Sequence, residues 1–503
     1  MSAATPAASP SQLETAKALG IPEITSLVGQ HLSKADLASC TLVTRTWFHV
    51  FTPILWKSIQ AGHPSPSLRQ GHHNQDHIDP DSTGVRSALS KNGTFIRTLT
   101  IIPEPADTET SDLELVSNCP TIDALVQLNI TLERGQQVAV ENIVRRNQDI
   151  LRLLKLVFHL EKRLRPTGWL GERMLEFPRL APSLQSLFLE FWCMSKQELV
   201  LILKGCPSLK LLSLGNVHIS DQTGSSDNRL VEQDVGGDRE ETFQHQSVES
   251  YRMCSRLCPI LEHLPKIKLL EFYRFDRQIK EEDLQQFCAS IRTNCPDLQD
   301  IWAYGFECSM LPAVLDSLPR LINYRGSSNL PTILSLLDHA LTLEDANLSD
   351  YTERTFLPLQ FLESCPRLRS FWTGHSLTTM DEVLHSIGRG WACQPSLQEL
   401  RLSIFKLSPI LIEAIMRQLH AARAPDMRLQ QQRARMREAR GDVLLAAYER
   451  HKEQELQNEI RALSPAQENF RQQLVTFLTT LDQLKRLNFG TGWYVLSPQT
   501  SAT

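Results

Sequence analysis

Eleven cysteines and fifteen histidines are the residues of this chain best suited to hold a metal or attack a substrate. Four of the histidines, His63, His72, His73 and His77, crowd into one polar stretch. Structural zinc sites set cysteines and histidines at tight paired spacings, and no cysteine stands near these four, so the stretch reads as a solvated loop. Cys254 and Cys258 are four apart instead of forming a Cys-x-x-Cys pair, which argues against a redox or zinc role. Cys119, Cys206, Cys258, Cys295 and Cys365 each stand directly before a proline. Proline disfavours helix in the residue ahead of it, so these cysteines mark the ends of helices. A thiol at such a junction is expected to be buried as a small hydrophobe, with a raised pKa and no reactivity. The sequence holds no Gly-rich phosphate loop, no Gly-x-Ser-x-Gly elbow and no His-Glu-x-x-His helix. No catalytic, cofactor-binding or metal-binding residues are assigned, and the chain is expected to bind rather than to catalyse.

What the chain must position is therefore surface. From Phe95 onward a phrase of the form Cys/Leu-Pro-x-Leu returns, each time followed by alternating apolar residues. Copies begin at Cys119-Pro120, Pro182, Cys206-Pro207, Pro265, Cys295-Pro296, Pro319, Cys365-Pro366 and Pro395, and copies without proline at Ile150 and Leu481. The residues ahead of several copies, such as Lys196 to Lys204 and Leu284 to Arg292, have helical periodicity. Helix, turn and short strand, repeated at roughly 20 to 35 residues, is the leucine-rich-repeat plan, in which neighbours stack because no unit can bury its face alone. Strand side chains alternate between core and open face, so Tyr273, Arg274, Trp302, Tyr304, Phe371 and Trp372 divide between the two.

The stretch Ile21 to Trp56 is different. Pro22 suits a first helical position, and Ile24, Leu27, Val28 and Leu32 follow at helical spacing. Ser33 with Asp36 three residues on is a start signal for a second helix carrying Leu37, Cys40 and Val43. A third helix carries Trp47, Phe48 and Phe51 and is expected to stop at Pro53, before Leu55 and Trp56. So short a segment cannot bury that much apolar surface by itself. These residues resemble an F-box, and the match covers about a tenth of the chain. Ile21 stands where that family commonly has leucine, and Arg45-Thr46 precede Trp47 where a lysine or arginine is usual. The resemblance implies a three-helix hook that docks on a Skp-family adaptor and through it joins a cullin and a RING subunit. By the same resemblance, adaptor binding falls to Pro22, Ile24, Leu32, Leu37, Val43, Trp47 and Trp56, some as contacts and some as internal packing. The repeats resemble the irregular leucine-rich repeats that follow F-boxes in fungal and animal proteins, where the repeat stack holds a protein target. The alternative is an F-box and repeat scaffold that acts outside ubiquitin transfer.

The fold class expected is an α/β repeat: an N-terminal three-helix F-box, then a leucine-rich-repeat solenoid with a helical insertion near the C-terminus. Residues 1–20 read as a disordered lead-in, 21–60 as the hook, and 61–94 as a flexible loop. Residues 95–420 read as the solenoid, with a disordered polar insertion at 220–247. A charged helical insertion at 421–470 and a last repeat and tail at 471–503 complete the chain. The net charge of −5 and the absence of a long apolar run give no reason to expect nucleic acid or membrane as a partner. With no secretory signal at the N-terminus, the cytosol or nucleus and free thiols are expected.

Overall fold

The computed structural model describes residues 21–61, 83–102, 112–132, 136–158, 181–220, 243–254, 260–273, 279–304, 310–348, 357–374, 378–404, 407–423, 463–489 and 493–496, with scattered positions from 451 to 461. The chain forms two compact units, Met1–Leu264 and Pro265–Thr503.

In the first unit the three short helices Pro22–Gly29, Lys34–Thr41 and Arg45–Trp56 come first. Ser33 caps the second, its hydroxyl accepting from the Asp36 N–H at 3.2 Å, and Thr44 caps the third through the Trp47 N–H at 3.1 Å. The third helix runs through Pro53 instead of stopping there. Phe51 is buried from within this helix and Ile54, Leu55 and Trp56 are half-buried, so packing on both sides of the proline offsets the lost backbone bond. Gly29 is needed for this packing: a Cβ there would lie 2.8 Å from the Ile54 side chain and 2.9 Å from Phe51.

Strands follow: β1 Ser58–Ala61, β2 Thr98–Ile101, β3 Gln127–Leu132, β4 Leu153–Phe158, β5 Ser186–Glu190, β6 Cys193–Ser195, β7 Leu211–Gly215, β8 His218–Ser220 and β9 Ser250–Cys254. All but β6 and β8 join one parallel sheet in the order β1, β2, β3, β4, β5, β7, β9, while β6 and β8 pair with each other. The core is a ladder of facing apolar residues. Leu99, Leu128, Leu154, Leu187, Leu212 and Tyr251 form one row, and Ile101, Ile130, Leu156, Leu189, Leu214 and Met253 the next; all are buried.

The second unit repeats the plan with β10 Leu269–Tyr273, β11 Asp300–Tyr304, β12 Asn323–Gly326, β13 Asp345–Leu348, β14 Ser370–Thr373, β15 Glu399–Arg401 and β16 Arg486–Asn488, all parallel. An eighth strand, β17 Trp493–Val495, lies antiparallel on β16. Helices Glu281–Asn294, Leu311–Leu315, Leu330–Asp338, Leu357–Ser364, Met380–Arg389, Pro409–Arg423 and Pro465–Thr479 stand between strands. Gly326 has φ +150°, and a Cβ there would meet the Ala303 carbonyl oxygen at 2.2 Å, so only glycine closes the β11–β12 step.

The recurring phrase has a hydrogen-bond meaning. The leucine N–H of each turn donates back to the carbonyl of the junction residue: Leu209 to Cys206, Leu298 to Cys295, Leu368 to Cys365 and Leu397 to Cys393. Just before each strand, one carbonyl then receives two successive N–H groups from the next repeat. Lys210 takes Glu249 and Ser250, Gln299 takes Ile322 and Asn323, and Glu344 takes Arg369 and Ser370. This is how a parallel ladder with a helical return satisfies its backbone, and both units are stacks of leucine-rich-repeat type.

Three further sequence expectations change. Thr83–Asn92 is helical, within the stretch expected to be a loop: Leu89 is buried and its carbonyl accepts from the Thr121 hydroxyl at 3.1 Å, so packing overrides a polar local pattern. Phe243 to Ser247, within the insertion expected at 220–247, pack on the repeat: His245 is buried and its Nε2 lies 2.8 Å from the Cys206 carbonyl, while 221–242 lie outside the described residues. The helix Pro465–Thr479 crosses the boundary expected at 470 and belongs to the last repeat, with Phe470, Leu474, Val475 and Leu478 buried. The lead-in, His63, His72, His73, His77, Arg274, Cys258 and nearly all of 424–462 lie outside the described residues.

Candidate functional site

Two surfaces distinguish themselves once burial is known. The first is the hook. Its interior is small: Leu37 is 4% exposed, Phe51 is buried, and Trp47 meets Phe51 edge to face with ring centres 5.5 Å apart. Much of its apolar content points outward. Ile21, Ile24, Leu27, Val28, Leu42, Val43 and Phe48 are exposed, with Leu27 and Val43 at 60% and Leu42 at 86%. These seven are half of the fourteen exposed large apolar side chains among the described residues, concentrated in fewer than thirty positions. Scattered exposed apolar residues are ordinary, whereas concentration marks an interaction site.

The seven residues singled out from the sequence divide accordingly. Pro22, Ile24 and Val43 are exposed; Leu32, Trp47 and Trp56 are half-buried; Leu37 is interior. Leu42 is 86% exposed and Leu27 is as exposed as Val43 at 60%, and a helical period that reads the same for an inward and an outward face does not single them out. Lys34 Nζ donates to the Ser58 carbonyl at 3.0 Å and ties the hook to β1, while Lys91 stands over the Phe48 ring at 5.9 Å.

The second surface is the open face of the strands in the second unit. The register lines up Glu271, Trp302, Arg325, Asn347, Trp372, Arg401 and Asn488 in one row across seven strands, with Glu271 and Asn488 buried and the five between them half-buried. Arg325 stacks over Trp302 at 5.1 Å and Arg401 over Trp372 at 4.2 Å. Beside this row run Asp300, Asn323, Asp345, Ser370, Glu399 and Arg486. Asn323 donates to Asp300 at 2.6 Å, Arg325 reaches Asp345 at 3.3 Å, and Arg486 reaches Glu399 at 3.1 Å. Burial pushes the Asp300 and Asp345 carboxyls above their ordinary range, with Asn323 and Arg325 pulling Asp300 back and Arg325 pulling Asp345 back. Tyr273 and Tyr304 pair at 5.8 Å at the strand ends. Phe371 is core instead, stacked on Phe361 at 6.0 Å. In the first unit the corresponding face is more polar, with Lys155 paired to Glu190 at 2.6 Å and Arg252 over Phe188 at 5.9 Å.

The cysteines expected at the helix-to-strand junctions are buried where the structure describes them. Burial pushes the thiols of Cys206, Cys295, Cys365 and Cys393 up to about 12, which leaves them protonated and inert at neutral pH. Among the described residues no helix is long and apolar enough to cross a membrane.

No family model matches the chain, and no curated protein matches it. Among solved structures it overlaps an internalin from Listeria monocytogenes at 14% identity and a TM-score of 0.32, over 63% of this chain and 78% of the other. A protein from Bacteroides fragilis overlaps at 11% identity and a TM-score of 0.24, over 61% of this chain and 66% of the other. Overlaps this low leave the fold to rest on the chain's own strands and helices.

Proposed function

We propose that this chain is the substrate-recognition subunit of an SCF-type cullin-RING ubiquitin ligase, acting in the cytosol or nucleus. The observation that carries the reading is the outward apolar surface of the three-helix hook. A segment of that length gains little by exposing Leu27, Leu42 and Val43 to water unless a partner covers them. The resemblance of Ile21 to Trp56 to an F-box supplies the partner: a Skp-family adaptor, which bridges to a cullin and a RING subunit. The repeats carry the second half of the role, with the aromatic and arginine-rich strand face holding a target protein.

The chain performs no covalent step in this scheme. It raises the effective concentration of a charged ubiquitin carrier near a lysine of the bound target, and proximity does the rest. The test is co-purification of the full chain with a Skp-family adaptor and a cullin. Recovery of both supports the ligase. Recovery of the adaptor without the cullin favours the alternative, an F-box and repeat scaffold outside ubiquitin transfer. Recovery of neither sinks the reading.

A further inference from the structure

Three arginines lie on the open strand face of the second unit, and the structure treats them unequally. Arg325 has Asp345 at 3.3 Å and Arg486 has Glu399 at 3.1 Å. The remaining acid of the outer row, Asp300, is held by the Asn323 amide at 2.6 Å. Arg401 has no carboxylate within ion-pair reach among the described residues. Its guanidinium carbon stands over the Trp372 ring, 4.2 Å from the centroid, and its Nε is sealed from water with no hydrogen-bond partner. A cation stripped of part of its hydration and left without a counter-charge is costly. Stacking on an indole returns only part of that cost. With one side on the ring and Nε closed off, the outer edge of the guanidinium is the end a partner can reach. That planar edge matches a carboxylate through two parallel N–H donors.

The setting is suited to a protein segment rather than to a small anion. Trp302 lies in the same row three strands from Trp372, roughly 14 Å away at about 4.8 Å per strand, and Tyr273 and Tyr304 continue the aromatic surface. Tryptophan, tyrosine and arginine are the residues that dominate protein-binding hot spots. We propose that Arg401, stacked on Trp372, anchors a carboxylate-recognition site on this face, and that its occupant is a peptide segment carrying an acidic side chain next to apolar ones. This deepens the reading of the strand face as the target-binding surface and rests on it.

The probe is a displayed library of random peptides of roughly a dozen residues, selected on the immobilised full chain. Selection on the native sequence is expected to enrich Asp and Glu together with apolar residues, and selection on Arg401→Gln is expected to lose the acid preference. A native chain that selects no acidic peptides overturns the proposal. So does an Arg401→Gln chain with unchanged melting temperature that selects the same acidic peptides. If Arg401→Gln does not fold, Arg401→Lys decides, since it keeps the charge and loses the planar fork. Affinity for the selected acidic peptide should then fall about tenfold, and unchanged affinity overturns the site. The double change Leu42→Ala with Val43→Ala, on the hook, should leave peptide selection as it is. A failure of adaptor docking and a failure of this site are thus read separately.

Discussion

Replacing Leu42 and Val43 together by alanine isolates the hook's outward surface from its fold. Leu42 is 86% exposed and Val43 60% exposed, at the turn that follows the helix Lys34–Thr41. Truncation removes the equivalent of about three methylenes from leucine and about two from valine, each worth about 0.8 kcal/mol when fully buried. The upper limit is therefore about 4 kcal/mol of adaptor binding. Partial burial in the complex brings this to about 2 kcal/mol, a loss of roughly thirtyfold in affinity at about 1.4 kcal/mol per decade. The folded chain alone should barely notice, because exposed side chains away from special features change stability by no more than about 0.5 kcal/mol. Binding of the purified variant to a Skp-family adaptor by calorimetry, with a thermal melt alongside, measures both. Undiminished affinity would refute the docking role of this turn. A melting temperature well below that of the native chain would refute the premise that these side chains lie outside the core.

Three further outcomes follow from the repeats. Asn147 is buried, takes the Leu125 N–H at 2.7 Å and donates to the Ile122 and Ile143 carbonyls; Asn147→Ala should cost about 3 kcal/mol in chemical denaturation, and a loss near zero would contradict its role as a buried brace. Cys206, Cys295, Cys365 and Cys393, with pKa values pushed to about 12 from 9.0, should resist a disulfide reagent at pH 8 until the chain is unfolded. Their contribution to stability is complete below pH 9 and is lost as pH rises from there towards 12, because the unfolded chain releases the protons first. Burial lowers the His245 pKa from 6.5 against the raising effect of the Cys206 carbonyl. Its stabilising effect is present above pH 6.5 and is lost as pH falls through the lowered folded value. The melting-temperature gap between the native chain and His245→Gln should therefore narrow in acid, and a gap that widens would contradict this.

The repeats were legible where a proline marked the turn. Cys206-Pro207, Cys295-Pro296 and Cys365-Pro366 each announce the strand that follows, because the same turn hydrogen bond recurs behind each. β13 was hidden, since its turn is built without proline: the Thr342 hydroxyl donates to the Leu321 carbonyl at 2.7 Å, and the Thr342 and Leu343 N–H groups reach the His339 carbonyl. β1, β9 and β17 are likewise not introduced by the proline turn, so no recurring phrase points to them. Phe371 and Trp372 are neighbours of similar size, and only the register assigns one to the core and the other to the open face. The hook shows the same limit in another form. Ile24, Leu27 and Val28 have a clear helical period, but a period does not say whether the stripe faces the chain's own interior or a visitor.

The central claim is tested most directly by mixing the purified full chain, and the chain lacking residues 1–60, with a Skp-family adaptor, a cullin and its RING subunit, and following assembly by size-exclusion chromatography. The account predicts a single complex containing all four proteins for the full chain and none for the truncated one. Failure of the full chain to enter the complex, or equal entry by the truncated chain, would contradict it.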